Sequence, residues 1–122
     1  MDLNVITEKI IGCAIEVHKN LGPGLLESVY ENALCVELEN ANLNFECQKI
    51  LPVFYKSKSI GTFKIDILVE NLIVLELKSV EKNDPLFEAQ ILSYMKMGGY
   101  KLGLLLNFNT TLLKRGIQRF IL

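Results

Sequence analysis

The sequence predicts an α/β fold with a mixed central sheet flanked by helices. Three observations lead there. Apolar residues recur at helical spacing from Val5 to Asn40. From Phe45 to Val80 the pattern changes to strand-like segments broken by polar turns. A capped helix and then a wholly apolar segment follow, which is the order of a strand–helix–strand crossover.

The elements follow in order. Ile6, Ile10, Cys13, Val17 and Leu21 recur at three- and four-residue steps and predict a helix over Val5 to Leu21. Leu21-Gly22-Pro23-Gly24 breaks it sharply. Leu26, Val29, Tyr30, Ala33, Leu34 and Leu38 give the apolar face of a second helix, ending near Asn40. Phe45 to Tyr55, Ile60 to Val69 and Leu72 to Val80 read as strands of an antiparallel meander, with turns at Lys56-Ser57-Lys58-Ser59 and Glu70-Asn71. Asp84-Pro85 supplies a capping side chain and a proline for the first helical position. That helix stops at Gly98-Gly99. Leu102 to Leu106 is apolar on both faces and predicts a fully buried strand, parallel to the one before the helix. Ile117 to Leu122 predicts a last strand at an edge.

The 122 residues suit one domain over 1–122 with a real core. No apolar run approaches the roughly 20 residues of a membrane-spanning helix. The polar, acidic start, Met-Asp-Leu-Asn, is wrong for a secretory signal, so the expected location is the cytoplasm. Cys13, Cys35 and Cys47 are odd in number and widely spaced, and His18 is the sole histidine, which argues for free thiols rather than a zinc site. The net charge of −1 lacks the basic excess of a dedicated nucleic-acid binder, although an enzyme centred on a metal needs acidic residues of its own.

The segment from Lys64 to Lys78 carries the chemistry. Glu76 and Lys78 lie two apart on a strand and share a face, among Ile73, Val74, Leu75 and Leu77. A carboxylate there is costly to bury unless it is paired or bound to a cation. Asp66 in the neighbouring strand could supply a second carboxylate. Two such groups hold Mg²⁺ or Mn²⁺ and leave positions for water and a phosphate oxygen. The backbone carbonyl of Leu77 is a further candidate ligand, and Lys78 could orient water or stabilise developing negative charge. A two-residue loop at Glu70-Asn71 would put Asp66 and Glu76 on opposite faces, so the metal hypothesis requires an odd loop or a bulge. A three-residue loop, Val69-Glu70-Asn71, with Asn71 in the left-handed conformation would serve. The same pattern also fits a Glu76–Lys78 salt bridge on a solvated sheet face.

The segment Leu21-Gly22-Pro23-Gly24-Leu25-Leu26-Glu27-Ser28-Val29-Tyr30-Glu31 closely resembles the signature of the GxxExxY protein family, with Gly24, Glu27 and Tyr30 at its named positions. That family is assigned to the PD-(D/E)XK nuclease superfamily. The resemblance runs from about Val5 to Phe108 and implies a restriction-endonuclease-like core. It implies that Asp66 and Glu76-Leu77-Lys78 are the acidic and E-x-K elements of a Mg²⁺- or Mn²⁺-dependent nuclease. Glu27 is then the helical acid that completes the metal site. Gln90-Ile91-Leu92-Ser93-Tyr94 matches the Q-x-x-x-Y element of the exonuclease-like branch, so Gln90 and Tyr94 are expected to touch substrate. Ile65 stands where the superfamily's name has proline.

Other readings stand beside these. Glu27 in a first helical turn also interacts favourably with the helix dipole. Tyr30 reads as core packing with a polar tip, His18 as structural, and Lys114, Arg115 and Arg119 as a solvated basic face. The implied reaction is phosphodiester hydrolysis in DNA rather than RNA. Substrate grip is expected from a homodimer or a partner protein. The competing hypotheses are a non-hydrolytic module of the same fold that binds nucleic acid or protein, and a structural helper with no ligand.

Overall fold

A computed structural model describes residues 2–122; Met1, which opens the acidic N-terminal stretch, lies outside them. Helix α1 spans Leu3–Leu21 and starts from Asp2, whose side chain accepts the Asn4 N–H. Helix α2 spans Glu27–Asn40, and Leu26 at its cap position gives it no side-chain hydrogen bond. Strands β1 (Phe45–Tyr55), β2 (Lys58–Val69) and β3 (Ile73–Lys78) form the expected meander. Helix α3 (Pro85–Gly98) crosses over to β4 (Leu102–Asn107), which pairs parallel with β3. A short 3₁₀ turn, Leu113–Gly116, leads into the edge strand β5 (Ile117–Ile121). The sheet order is β1-β2-β3-β4-β5. It is a mixed five-stranded sheet with helices on both faces.

The sequence-based boundaries shift by one or two residues at several ends: α1 begins at Leu3 rather than Val5, and β3 spans Ile73–Lys78 rather than Leu72 to Val80. β2 begins at Lys58 because Lys56 and Ser57 both have positive φ, as a two-residue hairpin turn demands, and Tyr55 pairs directly with Lys58. The 3₁₀ turn before β5 is too short to leave a periodic signal.

Two cores sit on opposite faces of the sheet. Ile6, Ile10, Ala14 and Val17 of α1 and Tyr30, Leu34 and Leu38 of α2 pack on Ile73, Leu75, Leu77, Leu104 and Leu106. Ile91 and Met95 of α3 pack on Val74 and Leu105. β4 is buried along its whole length because helices cover both of its sides. Gly103 lets α3 approach closely: a Cβ there would lie 2.6 Å from the Met95 sulfur. No helix among the described residues is long and apolar enough to cross a membrane.

Candidate metal centre

The β2–β3 ladder consists of Val69–Ile73, Leu68–Val74 and Ile67–Leu75. The link between the two strands is three residues, Glu70, Asn71 and Leu72, one residue later than the expected Val69-Glu70-Asn71, because Val69 still pairs with Ile73. Glu70 and Asn71 both lie in the left-handed region, at φ 53 and 55, and the Leu72 N–H donates to the Val69 carbonyl. Asn tolerates that region well, but Glu70 needs support. Its N–H donates to the Asn44 carbonyl at 2.8 Å, and its carboxylate accepts the Asn44 N–H. The odd loop that the metal hypothesis requires is present. Continued by one step, its register sets Asp66 opposite Glu76.

At that step the pairing lapses on both sides of β2. Beyond Ile67–Leu75 the β2–β3 ladder ends, and the Leu77 N–H donates instead to Asp66 Oδ2 at 2.9 Å. On the β1 side, Cys47–Ile67 and Lys49–Ile65 are paired but Gln48 is skipped, and Gln48 has φ 53. The side-chain alternation of β2 also breaks here. Ile65 and Leu68 face α3, whereas Ile67 and Val69 face α1 and α2. Asp66 therefore stands at an irregularity, the kind of place where strands re-aim a side chain.

The opening is a cleft of about 490 Å³ lined by Glu27, Ser28, Glu31, Gln48, Asp66, Leu77 and Lys78. Glu76 is 5% exposed, and its Oε1 is buried with no hydrogen-bond partner. Burial pushes its carboxyl up to about 9; the neighbouring negative charge of Asp66 adds to this, while Lys78 pulls the other way. Lys78 makes no ion pair with Glu76 among the described residues; its ammonium sits 4.5 Å above the centre of the Phe87 ring, on the first turn of α3. This corrects the bland alternative of a solvated Glu76–Lys78 salt bridge, because the carboxylate is interior and the amine is held by an aromatic face.

Gln90 and Tyr94 share a face of α3, and both line a second groove with Phe87 and Ser93. Tyr94 stacks on Phe63, ring centres 4.3 Å apart. Burial raises its phenol, and the Glu76 charge raises it further, which puts the hydroxyl within electrostatic reach of the acidic pair. Gln90, one turn earlier on the same face of α3, acts in the opposite sense.

Sequence reasoning passed over Glu31 and Gln48. Gln48 Nε2 donates to Glu31 Oε1 at 2.8 Å. The Glu31 carboxyl is raised by burial first, then by Asp66 and, more weakly, by Glu27. Glu31 lies four residues after Glu27, so both acids project from one side of α2. Like charges at that spacing are unfavourable on a helix, and that was the signal available in the sequence.

Tyr30, Gly22 and Gly24 build the wall that presents Glu27. The Tyr30 side chain is fully buried and stacks on Phe108 at 4.5 Å. Its hydroxyl donates to the Gly22 carbonyl and accepts the Leu25 N–H. Gly22 and Gly24 have φ of 69 and 96, which an L side chain resists. Ser79 Oγ, just past β3, donates to the Leu25 carbonyl and ties the turn to the end of the strand that carries Glu76 and Lys78. His18 is structural: its Nε2 meets the Thr110 carbonyl at 2.7 Å. Arg119 donates to Asn4 on α1.

The donor chemistry fits a divalent cation. Asp66 lines the cleft, Glu76 lies buried beside it with an orphaned oxygen, and Lys78 offsets their mutual repulsion only in part. Among the described residues, no three His, Cys, Asp or Glu side chains gather tightly enough to enclose an ion. The acids of α2 therefore stand farther from the Asp66–Glu76 pair than a closed cage would need.

No curated protein matches the chain. A family comparison does: residues 4–120 match the PD-(D/E)XK nuclease superfamily. With nearly the whole chain matched and its mixed sheet interrupted at Asp66, the protein belongs to the PD-(D/E)XK nuclease superfamily.

Proposed function

We propose that the chain, as one nuclease-like domain over residues 1–122, is a Mg²⁺- or Mn²⁺-dependent phosphodiesterase that cleaves DNA in preference to RNA. The carrying observation is the buried, orphaned Glu76 oxygen beside Asp66, which itself lines a cleft with Lys78. Asp66 and Glu76 would hold the ion, with the Leu77 carbonyl and Glu27 as further donors. A bound divalent ion would offset charge on the scissile phosphate and acidify water. Lys78 orients the attacking water and stabilises negative charge as it develops on phosphorus. Phe87 limits the positions its amine can take. Gln90 and Tyr94 hold the substrate strand along α3. Glu27, in the first turn at the positive end of α2, lines the same cleft.

We also infer that the chain is of the GxxExxY type. Gly24 and Tyr30 shape the turn, and Glu27 emerges from it into the cleft. On this reading the chain works in the cytoplasm, where free thiols persist. Substrate grip beyond the cleft comes from a second copy or a partner protein.

The test has two parts. Mn²⁺ or Mg²⁺ should raise the melting temperature, because the ion binds the folded form, and Asp66→Ala should abolish the rise. Cleavage of supercoiled DNA, linear duplex, single-stranded DNA and RNA is then compared between wild type and Lys78→Ala. A metal-induced shift without cleavage of any substrate would favour the second reading, a non-hydrolytic nucleic-acid- or protein-binding module. The net charge of −1 supports that reading.

A further inference from the structure

Cys35 on α2 and Cys47 on β1 sit with their sulfurs 2.7 Å apart. A disulfide bond is about 2.05 Å long, so a movement of well under an ångström separates this pair from a covalent link. Cys47 is exposed and Cys35 partly covered, while Cys13 is buried. Burial and contact with Cys47 push the Cys35 thiol up to about 12. Cys35 thus keeps its proton, and Cys47 is the thiol an outside reagent meets first.

We propose that Cys35 and Cys47 form a dithiol modification site, oxidised to an intramolecular disulfide by a small-molecule disulfide of the glutathione type. The Cys47 thiolate attacks one sulfur of the reagent. The reagent's S–S bond breaks, one thiol leaves, and a mixed disulfide remains on Cys47. Cys35 then gives its proton to solvent and attacks the Cys47 sulfur, releasing the second thiol. Two protein thiols are oxidised, and one reagent disulfide is reduced to two thiols. The result ties α2 to β1 beside the cleft. Glu31 lies one turn before Cys35, Gln48 follows Cys47, and the Glu31–Gln48 hydrogen bond already joins the same two elements. The link therefore acts as a clamp on the acidic face of α2. It does not rest on the nuclease reading, and its readout needs no metal.

The whole protein is incubated with oxidised glutathione and its intact mass recorded. The expected product has lost two hydrogens, and peptide mapping finds Cys35 joined to Cys47, with Cys13 alkylated only after unfolding. Its melting temperature rises by several degrees and returns on adding dithiothreitol. Cys35→Ser should instead accumulate a glutathione adduct on Cys47, because the resolving thiol is gone. The proposal fails if wild type keeps a stable adduct, if both thiols stay free, if the link forms between two chains, or if Cys35→Ser takes up no glutathione.

Discussion

Asp66 Oδ2 accepts the Leu77 N–H at 2.9 Å, and so takes a bond that a neighbouring main-chain carbonyl would fill in a regular antiparallel ladder. One carboxylate thus closes the end of the β2–β3 pairing and faces Glu76. The two roles separate by substitution. Asp66→Asn keeps an acceptor oxygen and should melt within a degree or two of wild type. Asp66→Ala leaves the Leu77 N–H unpaired and should lose about 1–3 kcal/mol. Both should lose the Mn²⁺-induced rise in melting temperature. A full metal response in Asp66→Asn would remove this carboxylate from the ligand set.

The Glu76 carboxyl, held at about 9 against an ordinary 4.5, gives a pH test in the presence of a chelator. The folded chain keeps a proton that the unfolded chain has released above about pH 4.5, so the folded state binds more protons across that window. The stability carried by this proton is full below the unfolded value and is lost as pH rises through about 9. Glu76→Gln has no such proton to lose. Its melting temperature should match wild type near the acid end and exceed it by about 5 °C or more at mildly alkaline pH. Parallel melting curves across the range would refute the buried, only partly compensated carboxyl.

Lys78→Ala should cut the Mn²⁺-dependent cleavage rate by about 100-fold or more while leaving the metal-induced melting shift in place. The amine rests on Phe87 and makes no ion pair with Glu76 among the described residues, so its removal breaks no salt bridge. Loss of the metal response together with the rate would mean that Lys78 supports the site's shape instead.

Tyr30→Phe should destabilise the fold by about 1–2 kcal/mol, because the Gly22 carbonyl and Leu25 N–H both lose a partner. The ring stacking on Phe108 survives. If the hydroxyl serves only to brace the turn, cleavage measured well below the melting temperature should fall less than threefold. A loss comparable to that of Lys78→Ala would make the hydroxyl part of the reaction.

Most of the fold was legible because its signals are local. Helical spacing in α1, the Asp84-Pro85 start of α3 and the unbroken apolar run of β4 each act within a few residues, and the elements appear where these signals put them. The meander and the crossover follow from strand order and short connections. The site was legible only in part. Asp66, Glu76 and Lys78 could be picked out as acids and a base among apolar neighbours. Their convergence depends on the positive φ of Glu70, which no residue preference announces. Gln48 was invisible for a similar reason, since its left-handed backbone arises from the lapse in pairing opposite Asp66.

The amino-acid order alone determined which segments are helix and which are strand, and which few charged groups had to lie among apolar ones. Those outcomes rest on interactions between residues close along the chain. Only the tertiary structure decided that β2 leaves β3 one step past Ile67–Leu75, that Lys78 rests on Phe87, and that Glu31 and Gln48 join the cleft. These depend on where distant elements meet, and a register change of one residue would have turned every one of these side chains to another neighbour.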